Sequence, residues 1–259
     1  MSGFLFDKIV FGPLQSRRLG TSLGVNLLPR SYKLCTFNCI YCECGWTYPE
    51  KQVITEFHSA ENVRDALEAK LSSIQKNKEH LDVITFAGNG EPTLHPEFSK
   101  IIDFTIALRD KYYPSAKVSV LSNSSTLGNP EIAKALSKVD SAILKLDAGS
   151  ERTYKLINKP LTDLSLKEIT SILKKFPNNL IIQTIFLKGE IDGEKINNTT
   201  DSEVGEWLKL LEEIKPVKVM IYPIDRETPA KNISKISREK LNEIGEKVKK
   251  LNIDVLIVG

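Results

Sequence analysis

From about residue 60 onward, short apolar, β-branched runs alternate with longer amphipathic stretches, and this alternation restricts the fold more than any other feature of the chain. It is the pattern of repeated βα units around a parallel sheet. The runs predict strands over Leu23–Leu28, Val83–Ala87, Lys117–Leu121, Ser141–Leu146, Leu180–Phe186 and Val217–Tyr222. Helical periodicity falls between them at Ala60–Lys76, Pro96–Lys111, Pro130–Lys138, Leu166–Phe176 and Asp201–Ile214, and Glu239–Leu251 follows the sixth strand. A last apolar run, Val255–Val258, adds a short strand. These units predict an α/β chain of parallel strands folded as a partial (β/α)6 TIM-like barrel, smaller than the full eight-fold form of about 250 residues.

A chain of 259 residues at 41% hydrophobic can bury a full core. No linker rich in Pro, Gly or Ser divides it, so one domain over 1–259 is expected, with 1–22 as an N-terminal extension, 23–222 as the barrel core and 223–259 as a C-terminal helix and short strand. The 36 Lys and Arg against 33 Asp and Glu leave a net charge of +3, far from the balance of an obligate nucleic-acid binder. Lys247, Lys249 and Lys250 read as a solvated helix face. No stretch approaches about 18 apolar residues, and the opening MSGFLFDKIVFGP has no run long enough for a secretory signal. The expectation is a soluble, cytoplasmic protein with no membrane partner.

The cysteines stand at 35, 39, 42 and 44 and nowhere else, so no disulfide could staple distant parts of the fold. Cys35-Thr-Phe-Asn-Cys39-Ile-Tyr-Cys42 has the spacing C-x3-C-x2-C in a loop directly after the first predicted strand. Three thiolates so spaced can wrap one side of a cubane iron–sulfur cluster and leave its fourth iron open to a ligand. Tyr41 is placed to shield such a cluster or face an adenine. A zinc knuckle would recruit Cys44 as fourth ligand, but Cys42-Glu-Cys44 is tighter than the x2 to x4 spacings of zinc sites. Cys44 reads as a spare thiol nearby.

The run Phe86-Ala-Gly88-Asn89-Gly90-Glu91-Pro92-Thr93-Leu94-His95-Pro96 follows the second predicted strand, with Pro96 suited to a first helical position. Its glycines let a loop approach a ligand closely, and its carboxylate can receive an ammonium group. His95, just before the proline, reads as a cap or a satisfied surface group.

With its aromatic residue before the last cysteine, this constellation resembles the radical S-adenosylmethionine (SAM) superfamily. The resemblance implies a 4Fe-4S cluster on Cys35, Cys39 and Cys42, the catalytic and metal-binding residues, with SAM bound at the unique iron. Gly88–Glu91 resembles the superfamily's Gly-Gly-Glu motif, which contacts the methionyl amine, with Asn89 in place of its first glycine. The resemblance further assigns Ser122 and Asn123 to the ribose or methionyl carboxylate, Asp147 to ribose or substrate, and Tyr222 to the adenine side. Gln183 and Lys145 belong to the same series of strand-end positions around one mouth. Ser124 stands where related activating enzymes often have Gly.

The phrase Phe11-Gly-Pro-Leu-Gln-Ser-Arg17-Arg18-Leu-Gly20-Thr-Ser-Leu-Gly24, together with Asp225–Pro229, resembles one branch, the Fe-S oxidoreductases related to the tRNA wyosine synthases. Arg17 and Arg18 could clamp a substrate carboxylate or phosphate. Wyosine synthases carry a second cluster on additional cysteines, which this chain lacks, and wyosine synthesis is therefore not expected. The implied activity is reductive cleavage of SAM to a 5′-deoxyadenosyl radical that abstracts hydrogen from a substrate, with electrons from a flavodoxin or ferredoxin. The branch likeness favours a small molecule or nucleoside. Activation of a glycyl radical enzyme, through a glycine of a partner protein, is the alternative within the family. Outside it stand an Fe-S electron carrier and a zinc-binding module.

Overall fold

A computed structural model describes residues 3–48, 57–176 and 179–258. Its centre is a ten-stranded sheet with the main order β1-β2-β3-β4-β5-β6-β8-β10. The strands β2 (Gly20–Val25), β3 (Val83–Phe86), β4 (Lys117–Ser122), β5 (Ser141–Lys145), β6 (Leu180–Ile191), β8 (Lys218–Pro223) and β10 (Asp254–Ile257) run parallel. They are the expected runs, with most ends moved by no more than three residues and the end of β6 extended by five, from Phe186 to Ile191. Val83–Phe86 is buried throughout, as a strand covered on both faces must be.

The expected N-terminal extension instead supplies β1 (Val10–Ser16), which pairs antiparallel with β2 and makes one edge of the sheet. The short strand expected near the C-terminus is β10, which pairs in parallel with β8 and makes the other edge. The described strands thus form a partial TIM-like barrel with an open seam between β1 and β10. Leu19, in the turn of the first hairpin, packs inside it against Ile143, Ile181 and Met220.

Helices cover the outer face. In α1 (Ala60–Lys76) the buried Ala60, Val63, Leu67, Leu71 and Ile74 recur at helical spacing, and Ser59 caps the helix by accepting from the N–H of Asn62. The next helix, α2 (Phe98–Tyr112), starts two residues after Pro96, because His95 is extended, as residues before proline prefer. α3 (Pro130–Lys138), α5 (Leu166–Leu173), α6 (Asp201–Ile214) and α7 (Arg238–Lys249) match the periodicity. Trp207 of α6 is fully buried, sets its ring edge-on to Phe186 at 5.3 Å and donates Nε1–H to the carbonyl of Leu146.

Sequence patterning does not reveal α4 (Glu151–Asn158), β7 (Glu194–Asn197) or β9 (Ile233–Lys235). α4 is capped by Ser150. β7 and β9 flank the far half of β6, which runs past the sheet as an antiparallel flap. No helix among the described residues is long and apolar enough to cross a membrane.

Candidate active site

The cysteine loop follows β2 and is tied to the β3 loop by backbone contacts. The N–H of Leu34 donates to the carbonyl of Asn89 at 2.9 Å, and the N–H of Glu91 donates back to Leu34 at 3.0 Å. This approach requires glycine. Gly90 has φ +138°, and a Cβ there would stand 1.7 Å from the Leu34 carbonyl oxygen. A Cβ on Gly88 would stand 2.3 Å from Oδ1 of Asn26. On its other side the loop is held by the end of α4, where the N–H of Ile40 donates to Ile157 at 3.0 Å and that of Asn38 to Asn158 at 3.1 Å.

The result is one cavity of about 280 Å³ at the C-terminal ends of the strands. Cys35, Cys39, Cys42 and Cys44 line it together with Tyr41, Gly88, Gly90, Glu91, Ser122, Asn123, Lys145, Gln183, Tyr222, Arg17 and Arg18. Parallel α/β sheets place their ligand sites at this end.

Polar donors face the sulfurs. Nδ2 of Asn123 is 3.5 Å from Sγ of Cys35, and Nδ2 of Asn158 is 3.6 Å from Sγ of Cys39. Lys33, only 4% exposed, donates from Nζ to the carbonyl of Gly45 at 3.2 Å. Burial opposes its charge, but the neighbouring Cys42, Cys35 and Cys39 sulfurs hold the ammonium above its ordinary range. Burial pushes Cys35 up to about 12 and raises Cys39. A hydrogen bond from the Cys44 thiol, aided by Lys33, holds Cys42 well below the ordinary thiol value. The Cys44 thiol also lies 3.2 Å from the carbonyl of Gly88.

Among the described residues no three His, Cys, Asp or Glu side chains converge on a point where one metal ion would sit. The C-x3-C-x2-C thiols instead surround a shared cavity with amide and ammonium donors behind them. That donor set suits a sulfur-rich, anionic cluster.

Glu91, 2% exposed, accepts from the N–H of Asn123 at 2.6 Å and from the N–H and hydroxyl of Thr93 at 3.2 and 2.5 Å. Burial nevertheless pushes its carboxyl above the usual range, and those hydrogen bonds restrain the rise. Ser122 accepts from the N–H of Ser124, and Asn123 from that of Ser125, closing the turn after β4. Lys145, Tyr41 and Asp147 form a closed set behind Cys39. The Tyr41 hydroxyl donates to Asp147, and Nζ of Lys145 contacts that hydroxyl and lies 3.2 Å from the Asp147 carboxylate.

Two expected site residues, Asp147 and Asn89, do not line the cavity, and the two arginines that do are differently engaged. Asp147 does not line the cavity: it is 2% exposed, and Asn158 and the N–H of Ile185 donate to its carboxylate at 2.8 and 3.0 Å. Asn89 is also turned away, its side chain pairing with the backbone of Phe6 and with the carbonyl of Pro29. Arg17 is engaged by Asp225 at 2.7 Å, whereas Arg18 lies over the ring of Tyr222 at 4.9 Å. Sequence reasoning missed Lys33 and Asn158. Lys33 stands two residues before the first cysteine, the one sequence hint that could have marked it.

Residues 30–201 match the family model described as the Radical SAM superfamily. A UPF0026 protein of Methanocaldococcus jannaschii is 31% identical over 240 residues, covering 91% of this chain and 70% of that protein. A protein of Brachyspira hyodysenteriae named GTPase Obg is 32% identical over 250 residues, which is 95% of this chain, and the chain spans 34% of that protein's length. The solved structure of a radical SAM methyltransferase from Sphaerobacter thermophilus superposes with a TM-score of 0.67 at 14% identity, covering 91% of this chain and 65% of that one. Archaeal TYW1 superposes at 0.50 with 15% identity, over 90% of this chain and 74% of that one. At such identities these two are likenesses of fold alone, and so is the relation to the wyosine synthases. The family match and the Methanocaldococcus jannaschii relative together establish that the chain belongs to the radical SAM superfamily and to its UPF0026 proteins.

Proposed function

We propose that Cys35, Cys39 and Cys42 hold a 4Fe-4S cluster, and that the chain uses it to cleave SAM and abstract hydrogen from a small molecule or nucleoside. The observation that carries this reading is the backbone junction of Leu34 with Asn89 and Glu91, which sets the three thiols and the Gly88–Glu91 loop on one cavity. When bound, the cluster and SAM would supply one-electron reductive cleavage of a carbon–sulfur bond, the chemistry that yields methionine and a 5′-deoxyadenosyl radical.

The protein's own groups do the rest. Asn123 and Asn158 orient the Cys35 and Cys39 sulfurs, and Lys33 offsets their charge. Glu91 and Ser122 present oxygen to the methionyl end, and the Gly90 backbone lets it come close. Tyr41, fixed by Asp147 and Lys145, screens the cysteines from water. The electron comes from a flavodoxin- or ferredoxin-like donor. The loop after β8 lines the cavity, held by Arg17 to Asp225 and by Arg226 to Glu43 at 2.6 Å, which favours a small substrate over the glycine of a partner protein.

The test is electron paramagnetic resonance of the anaerobically reconstituted, dithionite-reduced protein. Addition of SAM is expected to change the cluster spectrum. An unchanged spectrum, with no SAM bound, would favour an electron carrier.

A further inference from the structure

The charged side chains on the cavity wall are almost all satisfied by the protein itself. Arg17 pairs with Asp225, Arg226 with Glu43 and Lys145 with Asp147. Glu91 accepts from Asn123 and Thr93, and Lys33 faces the cysteine sulfurs. Arg18 is different. It is half-buried, and among the described residues no carboxylate pairs with it and no acceptor meets its guanidinium, which rests over the Tyr222 ring at 4.9 Å. The cation–π contact with the ring holds the guanidinium in place, and its planar fork of N–H donors suits the two oxygens of a carboxylate or phosphate.

Apolar side chains flank the ring on one side, and Lys145 and Asp147 lie near enough to act on its hydroxyl. Ile185 on β6 is the register partner of Tyr222, Ile224 follows two residues later, and Val258 donates its N–H to Ile221 beside it. All of them line the same cavity. In the sheet, β5 and β6 lie between this wall and the β4 end that carries Ser122 and Asn123. Arg18 therefore stands across the cavity from the groups proposed for the methionyl end.

We infer that Arg18 anchors the carboxylate or phosphate of a substrate whose body is apolar and lies along Tyr222, Ile185 and Val258. The inference rests on the proposed function for the word substrate, but the anion site itself does not need SAM cleavage.

Its test is saturation-transfer NMR titration of anaerobically prepared holoprotein, without SAM, using hexanoate, hexyl phosphate and hexan-1-ol as probes. At least one anion should bind, the alcohol should bind at least tenfold more weakly, and R18Q should lose at least tenfold in affinity for that anion while R18K keeps part of it. The stronger of the two anions identifies the headgroup. SAM affinity, measured separately by equilibrium dialysis, should stay within twofold in R18Q. Three results would overturn the inference: no anion binding to the wild type, equal anion binding in R18Q, or a loss of SAM affinity in R18Q with the probes unaffected. Failure of SAM to bind the wild type at all would count against the proposed function and leaves the probe result to be read on its own.

Discussion

The backbone N–H of Asn123 donates to Oε2 of Glu91 at 2.6 Å, while the side-chain amide of the same Asn123 reaches Sγ of Cys35 at 3.5 Å. One residue at the end of β4 thus joins the glycine-rich loop to the first cysteine. Replacing Glu91 by Ala strands the N–H groups of Asn123 and Thr93 in a buried place and leaves the Thr93 hydroxyl only Thr126 as partner, and should cost about 2–4 kcal/mol of stability. Glu91→Gln keeps an acceptor, so it should fold with a smaller loss yet bind SAM at least tenfold more weakly. Thermal unfolding and SAM equilibrium dialysis check both. Unchanged SAM affinity in Glu91→Gln would remove that residue from the proposed site.

Lys33 is a buried cation beside the cysteine sulfurs. Adding an electron to a cluster on those sulfurs is easier beside a positive charge. Lys33→Met should therefore shift the cluster midpoint to more negative potential, and Lys33→Arg should restore part of the difference. A spectroscopic redox titration at matched iron content decides, and an unmoved midpoint in Lys33→Met would contradict this role.

Two backbone positions with positive φ should respond with opposite sign. Gly90→Ala drives a Cβ into the carbonyl of Leu34, and should cost about 3 kcal/mol or more while displacing the cysteine loop. Ser124 has φ +72°, is fully buried and has no hydroxyl partner among the described residues, so Ser124→Gly should stabilise by about 1 kcal/mol. Denaturant unfolding of the two variants measures both effects.

His95 serves the fold. Its Nδ1 accepts from the N–H of Glu97 at 3.1 Å and its Nε2 donates to the carbonyl of His58 at 2.8 Å, a pattern only the neutral ring can make. Burial holds it below its ordinary value of 6.5. The unfolded chain takes up this proton near 6.5 and the folded chain only at lower pH. Its contribution to stability is therefore complete above 6.5 and is lost as pH falls from there toward the folded value. NMR titration of the ring C–H signals should give His95 a midpoint under 6.5, and one at or above it would contradict the geometry.

What the chain reveals before folding follows from how each residue is used. Buried parallel strands such as β3 and β5 are legible because both faces must be apolar. β1 is not, since a half-buried edge strand containing Gly12 and Pro13 reads as a loop. The peptide Glu151–Asn158 offers too short an apolar stripe to announce α4, and with α4 went Asn158. The cysteines and glycines carry their meaning in spacing. Lys33 looks like any surface lysine, and the inward turn of Asp147 and Asn89 depends on partners from distant loops, Tyr41 and Phe6, that no local pattern records.

The most direct measurement is of 5′-deoxyadenosine, by chromatography, from reconstituted protein incubated anaerobically with dithionite and SAM. The account predicts that the nucleoside forms with the wild type and not with Cys39→Ala. A wild-type protein that holds a complete 4Fe-4S cluster and yet leaves SAM intact would contradict it.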